Sequence, residues 1–499
     1  MYLLGIDTST TATKAILVDE RGAVVATAAS EYPFATPQPG WTEQEPELFW
    51  QGTVSSIRLV LEQAGVSGAQ VAAVGITGQM HGMTMLDGQG QVIRPCILWN
   101  DQRTAAQCAA ATAQVGAERL IAMTGNPMLT GFTAPKILWV RDHEPTAYAR
   151  VAHVLLPKDY VRYRLTGELC SDVSDASGTG LFDVRNRRWS DELLAELGIP
   201  RAWLPEVSES PVVSAQINAA GAATTGLLAG TPVVAGAGDQ AAQAVGAGIV
   251  REGIVSVTIG TSGVVFAHAN SYRVEPSGRL HAFCHAVPGA WHLMGVMLSA
   301  GGSLRWYRDT LAAGQSYDQL MSQAASVPAG SEGLVFLPYL TGERAPHPDP
   351  SARGAFVGLS VRHSQAHMTR AVVEGVSLGL NDSLALMREL GVPTAQVRAS
   401  GGGARSPFWR QMLADVFGAE IVTLAAEEGA AYGAALLAGV GVGQYASVEA
   451  AVDATVKLAG SCAPGPDAAT YARLTPLYQA LYPTLREQFA KLAAFASGG

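Results

Sequence analysis

The sequence predicts a mixed α/β fold in two related domains with a cleft between them, on three observations. The chain has 499 residues, and at about 100–200 residues per domain that length implies more than one core. Strand patterns and helical patterns are interspersed along it. The word Gly5-Ile6-Asp7-Thr8-Ser9-Thr10 is echoed half a chain later by Thr258-Ile259-Gly260-Thr261-Ser262-Gly263.

The elements follow in order. From Tyr2 to Ala29 the pattern is strand, hydroxyl-rich turn, strand, a second turn at Asp19-Glu20-Arg21-Gly22, then strand again, which predicts an antiparallel meander. Helical periodicity follows over Pro46 to Ala64, Arg103 to Ala113, Ala134 to Arg141 and Ser190 to Leu197, with an apolar strand at Val71 to Ile76. Two uncharged stretches, Ser210 to Gly238 and Gly429 to Val448, carry too many Gly, Pro, Gln and Asn residues for membrane spans and read as buried elements. In the echo, each copy is an apolar strand entering a Thr/Ser/Gly turn and leaving as another strand, which predicts related domains joined near residues 245–252. Chance similarity between short strand–turn–strand words is the alternative. The segment Tyr471 to Phe495 reads as a closing helix.

Composition excludes several function classes. With 48% hydrophobic and 15% charged residues, there is enough apolar material to bury and no signature of disorder. The net charge of −9 argues against nucleic acid or an anionic membrane surface as the main partner. The five cysteines are odd in number, widely spaced and without a Cys-x-x-Cys, so a reducing cytosol fits best. Asp7 and Lys14 stand where an export signal would need its apolar stretch.

Several words carry chemistry. A turn rich in Thr, Ser and Gly can aim backbone N–H groups and hydroxyls at an anion, which suits nucleotide phosphates; Thr8, Ser9 and Thr10 in one turn and Gly260, Thr261 and Ser262 in the other are the candidates. An ordinary polar hairpin has the same composition. Asp7 could hold Mg2+ through water, and Lys14, one of only five lysines, could reach a phosphate. None of the five lysines follows a glycine, which excludes a P-loop. Gly401-Gly402-Gly403 lies between a strand and a helical stretch and allows a ligand to approach the backbone, although a plain strand-to-helix turn would read alike. Asp239 follows a short apolar strand and precedes an alanine-rich helical run, so it is either an N-cap or a base kept ionised beside the domain junction. Gly78-Gln79-Met80-His81-Gly82 and Trp99-Asn100-Asp101 place amide, imidazole and carboxylate groups beside an indole just after strands, as a polyhydroxy substrate would need. His81 and Trp99 would equally serve as core residues. His281, His285 and His292 lack a second ligand pair and read as strand residues, so no metal cluster is expected there.

Taken together these residues resemble the FGGY carbohydrate kinases, most closely their bacterial D-xylulokinase branch. Gly131 to Val140 is similar to the first signature of the family, and Gly354 to Leu359 continuing through His367 to Glu374 is similar to the second. The branch is suggested by Gly78 to Gly82, Ile97 to Asp101, Leu156 to Tyr160 and Leu340 to His347. The resemblance implies an actin/hexokinase-like ATPase fold, with a sugar-binding domain over residues 1–248 and a nucleotide-binding domain over 249–499, the closing helix 471–495 turning back onto the first. It implies ATP and Mg2+ in the cleft, Asp239 as base, and Asp7 and Asp239 around the metal through water. It implies Met80 and His81 on the sugar with Trp99, Asn100, Asp101 and Gln240 nearby, and Gly260, Thr261, Gly402 and Gly403 on the nucleotide. The substrate would be a small pentulose, phosphorylated at its terminal hydroxyl; another sugar or polyol kinase of the family, such as a ribulokinase or glycerol kinase, is the alternative. A homodimer is left open. An actin-like ATPase switch is the rival from another class, and a NAD dehydrogenase lacks its fingerprint. Two residues depart from the family: Ser9 stands where glycine is usual, which would cost about 1 kcal/mol if that turn needs φ > 0, and Gln240 stands where xylulokinases often have Asn.

Overall fold

The structure is a computed structural model that describes residues 1–426 and 428–496. Two mixed sheets dominate it. The first holds β1 (Tyr2–Thr8), β2 (Ala12–Asp19), β3 (Val24–Glu31), β4 (Val71–Gly78), β5 (Val213–Gln216), β6 (Pro232–Val234) and β7 (Ala237–Gly238). The second holds β8 (Gly253–Ile259), β9 (Gly263–Ala269), β10 (His281–Cys284), β11 (Trp291–Met297), β12 (Thr394–Ser400), β13 (Glu420–Leu424) and β14 (Leu458–Cys462).

The strand orders repeat. The first sheet runs β3-β2-β1-β4-β6-β5, with β7 also paired to β4, and the second runs β11-β9-β8-β12-β13-β14, with β10 added outside β11. In each, a central strand pairs antiparallel with its hairpin partner and parallel with the strand on its other side: β1 with β2 and β4, β8 with β9 and β12. The short echo around Asp7 and Gly260 is therefore one visible piece of a whole-sheet repeat.

Local chemistry explains the elements that carry the site. The helix Pro46–Ala64 starts with Pro46 in its first turn, where the missing N–H is not needed, and stops at Gly65 in the left-handed conformation. It lies on the meander β2–β3. The helix Ala430–Gly441 makes backbone-close approaches at glycines: a Cβ on Gly5 would lie 1.9 Å from the carbonyl of Ala431 and one on Gly75 1.9 Å from that of Ala434, while one on Gly433 would lie 1.8 Å from that of Ala242 in the helix Asp239–Gly246. This helix comes from the second half of the chain yet packs on β1, β4 and the helix Asp239–Gly246 of the first.

The closing helix corrects an expectation. Ala468–Ala496 packs on the second half rather than returning to the first: the Tyr471 hydroxyl donates to Glu374 at 2.9 Å and accepts from Arg370 at 2.9 Å, Gln479 donates to Asp382 at 2.7 Å, and Tyr482 donates to Asp349 at 2.8 Å. The segment that does return is Ala430–Gly441. Among the described residues no helix is long and apolar enough to cross a membrane.

Candidate active site

Parallel strands β1, β4 and β7 end at one edge of the first sheet, in register: Asp7 opposite Thr77, Thr8 opposite Gly78, and Gly238 opposite Gly78 from the other side. Each is followed at once by a polar word, Ser9 after β1, Gln79-Met80-His81 after β4 and Asp239 after β7. Residues separated by more than 200 positions thus meet because parallel strands release their loops at the same end.

Asp7 and Asp239 face a common space. Oδ1 of Asp7 is buried without a hydrogen-bond partner. Burial raises Asp7 to about 6, against the pull of Lys14 across the ladder. Asp239 is raised to about 7, first by burial and then by the charge of Asp7, while the Gln240 N–H, 2.7 Å from its Oδ1, pulls the other way. Asp239 is not an N-cap: Gly238 occupies that position, and Asp239 is the first residue of the helix Asp239–Gly246. Two carboxylates held up in this way would both ionise readily beside a cation.

Met80 and His81 line the same edge. Met80 lies against Gly238 and Gly178, where added Cβ atoms would come within 2.9 Å of its side chain. His81 adopts φ 70°, and its carbonyl accepts from Lys136 at 2.9 Å and Thr133 at 3.1 Å. Lys136 also holds the carbonyl of Gly131 at 2.6 Å, so the Gly131–Val140 segment fixes the His81 backbone. The ring stacks on Phe132 with centroids 4.9 Å apart. Burial, with Lys136 and Arg344 nearby, lowers His81 to about 3, so the imidazole is neutral. Its Nδ1 lies 2.6 Å from the Gly178 carbonyl, an acceptor only, which puts the proton on Nδ1 and leaves Nε2 as an acceptor.

Several expected ligands are committed elsewhere. Both carboxylate oxygens of Asp101 face Arg103, at 2.9 and 3.0 Å from its Nε, and the Thr42 N–H reaches Oδ2 at 2.6 Å; Asp101 is fully buried and structural. Asn100 accepts from Thr42 at 2.8 Å. Exposed Trp99 donates to Thr10 at 3.0 Å, and Thr10 donates to Gln79 at 3.0 Å, so Thr10 ties two loops together. Ser9 donates to the Ala12 carbonyl at 2.8 Å, closing its turn; it is not among the residues of positive φ, so its Cβ brings no left-handed strain. Of the three hydroxyls in this turn only that of buried Thr8 has no partner. Lys14 reaches across to the carbonyl of Glu428 at 3.0 Å. Gln240 lines a narrow gap with Thr258, Arg398 and Ser400 of the second sheet.

The second sheet has its own site. Gly260 and Thr261, in the β8–β9 turn, accept through their carbonyls from the Gly301 and Gly302 N–H groups at 2.8 and 3.0 Å. Gly402 and Gly403 lie in a one-turn helix, Gly401–Ala404, in which Gly403 packs on Ile259 while Gly402 has open space where a Cβ would be. Together they edge a cavity of about 820 Å³ whose other walls include Arg305, Tyr317, Arg405 and Phe408. That volume suits a nucleoside: small residues admit its backbone-hugging parts, and Phe408 and Tyr317 offer ring faces. Ser262 does not line it. The glycines are announced by their motifs, whereas Arg305, Tyr317 and Phe408 have no motif and come together from three separate helices. Arg344, inside the Leu340–His347 motif but not singled out as a site residue, is exposed and lies near enough to His81 to lower it.

Comparison with known proteins agrees with this geometry. The model of the FGGY family of carbohydrate kinases matches over residues 2–246 with its N-terminal domain and over 255–442 with its C-terminal domain. The xylulose kinase of Escherichia coli K12 is 42% identical over 493 residues, covering 97% of this chain and all of that one. The crystal structure of xylulose kinase from Rhodospirillum rubrum superposes with a TM-score of 0.93 at 34% identity, covering 98% of this chain and all of that one. The gluconokinase of Bacillus subtilis is 30% identical over 509 residues, covering all of this chain and 98% of that one. With two repeated sheets, a carboxylate pair at the strand ends of one and a nucleoside-sized cavity at the other, the chain belongs to the FGGY family of carbohydrate kinases and has its actin/hexokinase-like fold.

Proposed function

We propose that the protein phosphorylates D-xylulose at its terminal hydroxyl with ATP. The observation that carries this reading is whole-length similarity to xylulose kinases, at 37–43% identity, above the 30% shared with gluconokinase. The sugar would lie at the edge of the first sheet, with Met80 as an apolar wall and His81 Nε2 accepting a hydroxyl proton. ATP would occupy the cavity of the second sheet, over Gly260, Thr261, Gly402 and Gly403, with its phosphates toward Thr8. This assigns the sugar to residues 1–248 and the nucleotide to 249–499.

Asp239 accepts the proton of the terminal hydroxyl as that oxygen forms its bond to the γ-phosphorus and the bond to ADP breaks. The transition state of such transfers is loose, so the proton leaves late and a carboxylate suffices as base. Asp7 fits a metal: its buried Oδ1 has no partner, and its charge and that of Asp239 repel. These two residues would hold Mg2+ through water, and bound Mg2+ supplies charge neutralisation to the phosphates. Five unpaired cysteines and the negative charge fit a cytosolic enzyme.

The test is coupled ADP release with D-xylulose, L-ribulose, glycerol and D-gluconate under one ATP and Mg2+ condition. D-xylulose should give the highest kcat/KM. Glycerol leaves buried polar partners without hydroxyls, each omission costing about 1–3 kcal/mol, and should fall at least 100-fold lower. A higher value for any of the other three refutes the substrate assignment while leaving the kinase intact.

A further inference from the structure

We infer that Ser174 is a positioning residue for Asp239, an inference that rests on the reading of Asp239 as base. Beneath the site lies a buried charge network that the phosphoryl-transfer chemistry does not itself use. Lys158 Nζ sits 2.5 Å from Asp159, 2.9 Å from Asp172 and 3.5 Å from Asp175, all four side chains no more than 1% exposed. Asp172 starts the short helix Val173–Ala176, and its Oδ2 accepts the Ser174 N–H at 2.8 Å, the Ser174 hydroxyl at 2.5 Å and the Ser210 hydroxyl at 3.0 Å.

The consequence lies in the hydroxyl of Ser174. It has one proton, and Asp172 takes it. Its lone pairs are therefore turned away from Asp172, and one of them accepts the Gly238 N–H at 3.1 Å. Gly238 caps the helix that Asp239 begins, so the backbone carrying Asp239 hangs from Ser174, Ser174 from Asp172, and Asp172 from the Lys158 cation. Gly238 cannot substitute side-chain packing for this bond, having no side chain; among the described residues it otherwise pairs briefly with Gly78, contacts Met80 and caps the helix that follows. Without the hydroxyl, a buried N–H is left unpaired and the helix start shifts to find another acceptor.

The test compares Ser174→Ala with Ser210→Ala in the full-length enzyme. Each removes one hydroxyl from the same Asp172 oxygen, but only Ser174 touches Gly238. Misplacing a catalytic group by about 1 Å costs up to 100-fold. Ser174→Ala should lower kcat 10- to 100-fold with the sugar KM within twofold, and Ser210→Ala should keep kcat within twofold while lowering Tm comparably. Should Ser174→Ala fail to fold, Ser174→Cys, nearly the same size with a weak acceptor, is read by the same criterion. A kcat within threefold of wild type in the folded Ser174 variant, or an equal fall in Ser210→Ala, overturns the inference. Asp239→Asn separates the two readings: full activity there removes the base assignment itself, whereas an inactive Asp239→Asn beside a fully active Ser174→Ala removes only the positioning role.

Discussion

Asp239 and Asp7 form a buried acidic pair that is costly to the fold and that the proposed mechanism would use. Burial raises both carboxylates, and the charge of Asp7 raises Asp239 further, so each charge destabilises the folded state at neutral pH. Asp239→Asn keeps the acceptor for the Gln240 N–H but removes one charge. We expect kcat to fall by about 10²–10⁴ with the sugar KM little changed, while Tm rises by a few degrees. Steady-state kinetics and calorimetry on the same preparation check both signs together; near-normal kcat would return Asp239 to a structural role. At this scale the sequence disclosed residue types near strand ends but not their partners. Asp101 looked like a sugar ligand because an indole and an amide precede it, yet Arg103 two residues on and Thr42 use its oxygens completely.

Among elements, two helices make opposite points. Ala430–Gly441 is apolar on every face, which marks it as buried but names no neighbour. Its glycine contacts name the neighbour. In Gly75→Ala the new Cβ would lie 1.9 Å from the Ala434 carbonyl, which cannot give way as a side-chain tip could. A loss of about 3 kcal/mol is expected in urea unfolding, against less than about 0.5 kcal/mol for Gly88→Ala, whose Cβ meets nothing within 4 Å. The closing helix Ala468–Ala496 shows a stripe of Tyr471, Tyr478, Tyr482 and Phe489, and periodicity says only that the stripe is covered. Arg370, Glu374 and Asp349 decide which half covers it, because the tyrosine hydroxyls need partners when buried.

The helix Gln365–Glu389 beneath that stripe carries a pH-dependent term. Burial raises Asp382 to about 7, with Gln479 opposing by its hydrogen bond. Because the folded pKa exceeds the unfolded value, the folded state holds the extra proton, and stability is lost as pH rises from about 4 through 7. Asp382→Asn, with the Gln479 amide turned to donate or accept as required, should therefore stabilise the protein by about 2 kcal/mol at pH 8 and by almost nothing at pH 4. Equal gains at both values would contradict the assignment.

For the whole molecule, the proposed sugar and nucleotide sites lie on different sheets, so the proposed transfer is expected to bring the two together. Small-angle scattering with D-xylulose and a non-hydrolysable ATP analogue should show a smaller radius of gyration than the free enzyme, since closure excludes water until a hydroxyl is in place. An unchanged radius at saturation would show that the sites already stand at reacting distance. The halves are tied by the crossing of Ala430–Gly441 onto the first sheet and of Lys14 to the Glu428 carbonyl, and again where Asn126, Ser177 and Arg187 bond to Ala282, Cys284 and Ala290.

The sequence by itself determined the class, the two-fold repeat, the helices at Pro46–Ala64, Ala105–Val115, Thr133–His143, Asp191–Leu197, Asp239–Gly246, Pro407–Phe417 and Ala468–Ala496, and the words around Asp7, Met80, Asp239, Gly260 and Gly402. These are written in hydrophobic period, in turn residues and in short contiguous motifs, all local quantities. Only the tertiary structure decided which half each crossing helix serves, that Asp239 begins its helix instead of capping it, that Ser9, Thr10, Asn100 and Asp101 are occupied, that Gln240 faces the second sheet, and that Ser174 holds Gly238. Several of these depend on a partner far along the chain, as Thr10 does on Gln79, Asp101 on Thr42 and Gly238 on Ser174, and the others on local backbone geometry that residue type does not announce. A polar group's type is carried by its own residue, but whether it is free to bind a ligand depends on what the fold has already placed beside it.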